Sequence, residues 1–213
     1  MSRTAQEFED AKDLIHSIIM EQYASPLVGT DCPCNVPGAQ RTTRCSDCQF
    51  REPTCTDCFI LGHQTEPTHW VEKWDLHKGF FICHDISCLR PEGYAIPFGH
   101  NGVSCPKYSS GTQDILFHIV DTNGIHNTRI RFCECTVNDR AVQLLKAGFF
   151  PATLTQPRMA FSFNVLKWFH RLHLESKVSA YDFVASLRRL TDNAFAHRVM
   201  VRVSIEPTEH RLT

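Results

Sequence analysis

Between Cys32 and His69 the chain sets out six cysteines and two histidines as four ordered pairs: Cys32-Pro-Cys34, Cys45-Ser-Asp-Cys48, Cys55-Thr-Asp-Cys58, then His63 with His69. A Cys-x-x-Cys step lets one short segment place two thiolates on a single tetrahedral metal, and a closed structural zinc site takes four such ligands. Eight ligands therefore suggest two zinc ions. In compact zinc modules with four ordered pairs the pairs commonly alternate between metals. The expected sets are Cys32, Cys34, Cys55 and Cys58 on one ion, and Cys45, Cys48, His63 and His69 on the other. The window has few large apolar residues, chiefly Val36, Phe50, Phe59, Ile60 and Leu61. Metal binding must then supply the folding energy, on the order of 10–16 kcal/mol per structural zinc. A catalytic zinc keeps one position open for water, and nothing in the window pairs three ligands with a spare carboxylate. Asp47 and Asp57 lie inside the Cys-x-x-Cys steps, where they are expected to bond the knuckle backbone or face water.

Disulfides are the competing reading of the chain's eleven cysteines. They need an oxidising compartment, normally reached through a signal peptide, and the start M-S-R-T-A-Q-E-F-E-D shows no basic stretch followed by an apolar run. The expectation is an intracellular, reducing setting, with Cys83 and Cys88 as free thiols. No segment approaches the roughly 18 apolar residues of a bilayer span, so no membrane partner is expected. The net charge of −1 hides an asymmetry: residues 1–124 carry nine Lys and Arg against sixteen Asp and Glu, and residues 125–213 carry thirteen against seven. Phosphate contacts dominate nonspecific nucleic-acid affinity. If the chain touches DNA, the basic later half is the better candidate, since the cysteine window offers only Arg41, Arg44 and Arg51. Solvated surface charge is the plainer explanation for either half.

Taken in order, residues 1–25 read as an amphipathic helix over 4–24, with Phe8, Ala11, Leu14, Ile15, Ile18 and Ile19 at helical spacing. Thr4 would cap it and Ser25-Pro26 would end it. Such a stripe is either core or a partner-helix face. Residues 26–76 form the zinc module, closed by Trp70, Val71, Trp74 and Leu76 as an extended exit packed over the cluster. Residues 77–136 contain a β-hairpin: Ile115 to Val120, a turn at Thr122-Asn123-Gly124, and a return from Ile125 to Phe132.

The hairpin bears on a second cluster, His100, Cys105, His126, Cys133 and Cys135. His126 lies seven residues from Cys133, about 23 Å along a strand at 3.3 Å per residue. Being an odd number away, it also points to the opposite face. That leaves His100, Cys105, Cys133 and Cys135 as a third zinc site, or else as separate buried thiols.

Residues 137–193 read as helical. Asn138 would cap a helix through Val142, Leu144 and Leu145 to Gly148, and Phe149-Phe150-Pro151 would break it. Gln156-Pro157 would start another, running to about His173 with a polar line of Asn164, Lys167, Arg171 and Glu175. Ser179 with Asp182 resembles a capping box before Phe183, Val184, Leu187 and Leu190. On this reading His170 and His173 are satisfied core histidines. Phe161, Phe163, Trp168 and Phe169 are core rather than base-stacking residues. In the tail, residues 194–213, Val199, Val201, Val203 and Ile205 alternate like a strand. The fold class is α+β: a small zinc-stapled module, a β-hairpin with a further zinc site, then a helical segment.

Several stretches resemble the cysteine-cluster region that precedes the catalytic domain of fungal KDZ (Kyakuja-Dileera-Zisupton) transposases. They are C-S-D-C and C-T-D-C, H-W-V-E-K-W ending at Trp74, G-H-N-G-V-S-C-P from Gly99 and V-D-T-N-G-I-H from Val120. F-C-E-C from Phe132, Q-L-L-K-A-G-F-F-P-A-T-L-T from Gln143 and K-V-S-A-Y-D-F from Lys177 continue the likeness to Asn193, so it covers residues 30–193. The first four pairs are also similar to a B-box zinc domain, although the one-residue gap in Cys32-Pro-Cys34 departs from its usual start. The resemblance implies a noncatalytic, transposon-derived zinc module in the nucleus, contacting DNA or a protein partner and taking no small-molecule substrate. The family's RNase H-like nuclease lies downstream, beyond where this chain ends. Two-metal nucleases need clustered carboxylates, and Asp139, Asp182 and Asp192 are scattered.

Overall fold

The computed structural model describes residues 2–49, 52–109, 111–135 and 139–199. Phe50, Arg51, Asn138 and the expected strand residues Val201, Val203 and Ile205 lie outside them. Helix α1 spans Arg3–Glu21 and starts one cap earlier than expected: Ser2 Oγ, not Thr4, accepts from Ala5 N at 3.2 Å. It ends ahead of Ser25-Pro26, and none of its residues is buried.

The cysteine window folds around β1 (Thr43–Cys45), α2 (Thr56–Gly62), β2 (Val71–Asp75) and β3 (Phe80–His84). The three strands form one antiparallel sheet in the order β1-β2-β3. The boundary expected after Leu76 thus falls in the β2–β3 turn, where Leu76 is exposed rather than packed on the cluster. The guanidinium of Arg44 ties the sheet together. Its Nε donates to Glu72 Oε2 at 2.6 Å, its Nη1 donates to the Gln22 carbonyl at 2.5 Å, and it lies 3.8 Å over the Phe81 ring.

The second sheet runs β4-β6-β5-β8-β7. β5 (Ile115–Asp121) and β6 (Gly124–Phe132) are the expected hairpin, paired from Ile115↔Ile130 to Asp121↔Gly124. Only Thr122 and Asn123 make the loop. The positive φ of +137° falls on Gly124, where the strand already begins. A side chain there would meet Thr191 Oγ1 at 2.7 Å, so a glycine is needed for close approach as well as for its dihedral. β4 (Ile96–Phe98) adds parallel to β6.

The later half departs from the helical expectation. α3 (Arg140–Lys146) is capped by Asp139, whose Oδ1 accepts from Ala141 N and Val142 N. Phe149–Pro151 does not merely break it but forms β7, antiparallel to β8 (Met159–Ser162). β8 lies parallel to β5 through Val120↔Phe161. Residues after Gln156-Pro157 are therefore strand, not a first helical turn. A three-residue apolar run, Met159 to Phe161, fits either period, and the long-range partner β5 decides it. Helix α4 (Phe163–Ser176) begins only after Ser162, which caps it by accepting from Val165 N at 3.0 Å. α5 (Ala180–Thr191) carries the expected box: Ser179 Oγ accepts from Asp182 N and donates to Asp182 Oδ2.

Strand alternation sorts the core into two faces. One face of the five-stranded sheet, with Phe117, Ile119, Ile130 and Phe132, packs on Phe59, Ile60 and Val71 of the cysteine window and on Leu144 of α3. The other, with Val120, Ile125 and Met159, packs on Val165 of α4, Leu187 of α5 and Val199. A thinly apolar window therefore borrows the sheet's core. Within it Val36 and Leu61 stay exposed.

Candidate metal centres

Three groups of four Cys and His residues each bring their ligand atoms within 4.8 Å of one another. Four sulfurs around one zinc at about 2.3 Å lie about 3.8 Å apart, and a sulfur and a nitrogen about 3.5 Å apart. These values provide the test of each group.

The first comprises Cys32, Cys34, Cys55 and Cys58. Cys32 Sγ lies 3.8 Å from Cys58 Sγ and Cys34 Sγ lies 3.9 Å from Cys55 Sγ. These are tetrahedral edges, far beyond the ~2.05 Å of a disulfide. Cys55 precedes α2 as its cap and Cys58 sits in its first turn, so one helix start presents two of the sulfurs.

The second comprises Cys45, Cys48, His63 and His69. Cys45 Sγ is 3.4 Å and Cys48 Sγ 3.6 Å from His69 Nδ1, and Cys48 Sγ is 3.5 Å from His63 Nε2. The other ring nitrogen of His63 meets the Phe59 carbonyl at 2.9 Å, and its ring stacks on Phe59 at 4.0 Å. That bond places the proton on Nδ1 and leaves Nε2 free to coordinate. Burial holds the His63 imidazole below its usual range, in the neutral form a metal needs.

The third comprises His100, Cys105, Cys133 and Cys135. His100 Nε2 is 3.2 Å from Cys133 Sγ and 3.4 Å from Cys135 Sγ, and Cys105 Sγ is 3.4 Å from Cys135 Sγ and 3.7 Å from Cys133 Sγ. Cys133 and Cys135 follow the end of β6, while His100 is carried on a turn after β4 in which Gly99, His100, Asn101 and Gly102 all have positive φ. Gly99 permits the approach, since a Cβ there would sit 2.8 Å from Cys133 Cβ. Gln143 of α3 clamps the backbone of Cys133 in both directions: its Oε1 accepts from Cys133 N at 2.8 Å and its Nε2 donates to Cys133 O at 3.1 Å. The ligand spacings did not reveal this helper.

The thiols also show what the sulfurs lack without a cation. Burial raises Cys32, but the N–H groups of Cys34 and Cys55 aimed at its sulfur outweigh that and bring it to about 6. In the same set Cys58 is pushed up to about 12, first by its hydrogen bond with Cys55. The third set repeats the split. Cys105, raised by burial but lowered more by the N–H groups of Glu134 and Lys107, sits at about 6, while its hydrogen bond with Cys135 holds that thiol up at about 11. Burial raises Cys45 to about 12. Sulfurs packed this closely oppose one another's ionisation. A divalent cation removes that conflict and lets the remaining sulfurs ionise.

The structure leaves His126 outside the third group. It is 1% exposed on the face of β6 toward the cysteine window, stacked on Trp70 at 4.1 Å, with Nε2 3.0 Å from Asn123 Oδ1. Asn123 Nδ2 reaches Asp47 Oδ1 at 3.0 Å and the Thr68 carbonyl at 2.7 Å, and Asp47 Oδ2 accepts from Trp70 N at 2.6 Å. Asp47 thus bonds backbone, but at Trp70 rather than within its own knuckle, and also receives the hairpin turn. Asp57 faces water, the other expected outcome, and pairs there with Arg90 at 2.8 Å. Cys83 and Cys88 are exposed, free, and apart from all three groups. His170 and His173 are exposed rather than core, as are Phe163 and Trp168 of α4, the latter at 56%.

Twelve Cys and His side chains in three sets, held on a mixed α+β frame, define a cysteine-cluster protein whose sets could each hold a metal ion. Residues 89–195 match the family described as CxC2 like cysteine cluster associated with KDZ transposases. The match covers just over half of the chain, and the chain belongs to that family. The matched residues contain the third group, the five-stranded sheet and α3 to α5; the first two groups precede them. No curated protein and no solved structure matches the chain significantly. Among the described residues no helix is long and apolar enough to cross a membrane.

Proposed function

We propose that this chain is a noncatalytic module carrying three structural zinc ions, which serves a KDZ transposase in the nucleus by contacting DNA. One observation carries the reading. Each of the three ligand sets is a complete foursome of Cys and His with no carboxylate among them, the pattern of closed structural zinc rather than a site with an open position. The scattered acids of the later half support it, because they are spent on local caps. Asp139 caps α3, Asp182 closes the box of α5, and Asp192 accepts from Ala194 N and Phe195 N.

DNA contact rests on the outer face of α4. Lys167 and Arg171 stand one turn apart and exposed, beside Trp168, and Lys146 of α3 shares with Lys167 a cleft of roughly 900 Å3. Cations set for phosphate with an aromatic face among them are the ordinary means of holding a nucleic acid without reading its sequence.

Elemental analysis of the purified chain is expected to give three zinc atoms per molecule. On duplex DNA the binding constant is expected to fall steeply with salt. Lys167→Ala and Arg171→Ala should each weaken binding and flatten the log–log slope by about 0.9. Three zinc atoms with no DNA binding even at low salt would end the DNA reading and leave the B-box-like one, in which the module docks a protein. Fewer than three would remove one of the proposed centres.

A further inference from the structure

Helix α1 stands apart from the rest of the molecule. None of its residues is buried, and Phe8, Leu14, Ile15, Ile18 and Ile19 are exposed along one side. The apolar side has a register. Phe8, Ala11, Ile15 and Ile18 follow one another at steps of three and four, the a and d positions of two consecutive heptads. Glu9, Asp10, Asp13, His16 and Ser17 then occupy b, c and f, the positions that face water in a coiled coil. Leu14 and Ile19, at g and e, widen the seam.

The same register chooses the partner and its direction. In a parallel pair each g residue lies against the e residue five positions on in the other helix. That sets Glu7 against Lys12 of the second copy and Leu14 against its Ile19, one opposite-charge and one apolar match. The antiparallel pairing that brings Phe8 against Ile18 sets Glu7 against Glu21 and Lys12 against Lys12. Those like-charge contacts count against it. Glu7 and Lys12 now pair within their own helix, with Arg3 at 3.1 Å and Glu9 at 2.6 Å. Both pairs are exposed, and such pairs hold weakly enough to be shared. At the far end Arg44 holds the Gln22 carbonyl, which anchors the helix to the first sheet.

We infer that α1 is a self-association helix: two copies of this chain join through parallel α1 helices along the Phe8, Ala11, Ile15 and Ile18 seam. The inference does not depend on what the zinc module contacts. Two heptads make a short seam, so association is expected at tens of micromolar chain rather than at trace concentration.

Light scattering on the zinc-loaded full chain over that range tests it. The expected mass at high concentration is twice the 24.4 kDa of one chain. Ile15→Asp should return it to one chain with zinc content and far-ultraviolet dichroism otherwise intact, because no part of the core involves α1. Lys12→Glu should raise the dissociation constant several-fold, and adding Glu7→Lys should restore it. A single-chain mass at 100 µM, or a dimer unaffected by Ile15→Asp, would overturn the proposal. Tighter association of Glu7→Lys alone would overturn the parallel direction, since that change puts a cation against Lys12 in the parallel pair but against Glu21 in the antiparallel one.

Discussion

Replacing Cys45 with Ala is expected to cost the protein the ordered structure of β1, β2 and the chain between them, together with one bound metal atom. Cys45 ends β1, is buried, and lies beside both His69 and the Cys48 backbone N–H. Its register partner is Val71, which belongs to the core shared with Phe117 and Ile119 of the larger sheet. The three-residue β1 and seven-residue α2 are too short to stand on their own hydrogen bonds. A structural zinc contributes on the order of 10–16 kcal/mol, as much as the whole stability of a typical domain. A site left with three ligands forfeits several kcal/mol of that. Amide exchange should therefore lose protection at residues 43–45 and 71–75 while β5 and β6 keep theirs. Removing metal from the unaltered chain with a strong chelator should do the same and more. Cys83→Ala, which removes an exposed thiol outside every group, is the matched control and should change neither reading. Unchanged protection and an unchanged metal count in Cys45→Ala would mean that the sulfurs are not ligands.

That these Cys and His residues gather into three groups was readable because the spacing that suits a metal is local. A Cys-x-x-Cys step fixes which thiols can share an ion within a few residues, and the odd separation of His126 from Cys133 excluded it from the third set on strand geometry alone. The hairpin was readable for a similar reason, since an alternating strand, a polar turn and a returning strand lie within eighteen residues, 115–132. What escaped depended on partners far off in the chain. Met159–Ser162 is a strand only because β5 lies beside it, and nothing in Met-Ala-Phe-Ser itself prefers that to a helical turn. Helix α4 looked like a core helix because aromatics fall all round it. The sheet, however, takes only Val165 fully, with Leu166 and Phe169 half-buried, and leaves Trp168 to solvent. The third strand of the first sheet was missed because Phe80–His84 has no clean alternation of apolar and polar residues. The fold places His126 outside the third group, but its place against Trp70 and Asn123, joining the hairpin to the second group, had no signature beyond a polar residue in an apolar strand.

Gly102→Ala is expected to cost about 2–4 kcal/mol. About 1 of that comes from placing a side chain at a left-handed backbone position, and the rest from forcing atoms into a packed contact. Gly102 has φ of +81°, and a Cβ there would sit 2.1 Å from the Gln64 carbonyl oxygen and 2.7 Å from its carbon. Both are backbone atoms that cannot swing aside as a side chain would. Gln64 directly follows His63 of the second centre, and Gly102 lies two residues after His100 of the third. The added methyl group therefore pushes two ligand-bearing loops apart. Gly148→Ala provides the reference, because that glycine has a similar φ of +86° and nothing within 4 Å of the new Cβ. It should lose only the backbone part. Urea unfolding of both variants in the metal-loaded state gives the comparison, and exchange at the amides of residues 99–103 locates the damage. If Gly102→Ala proves no less stable than Gly148→Ala, the two loops do not press on each other. The second and third centres would then be joined through the shared core of Phe59, Ile60 and Val71 with the larger sheet and through the Asn123 and Trp70 contacts.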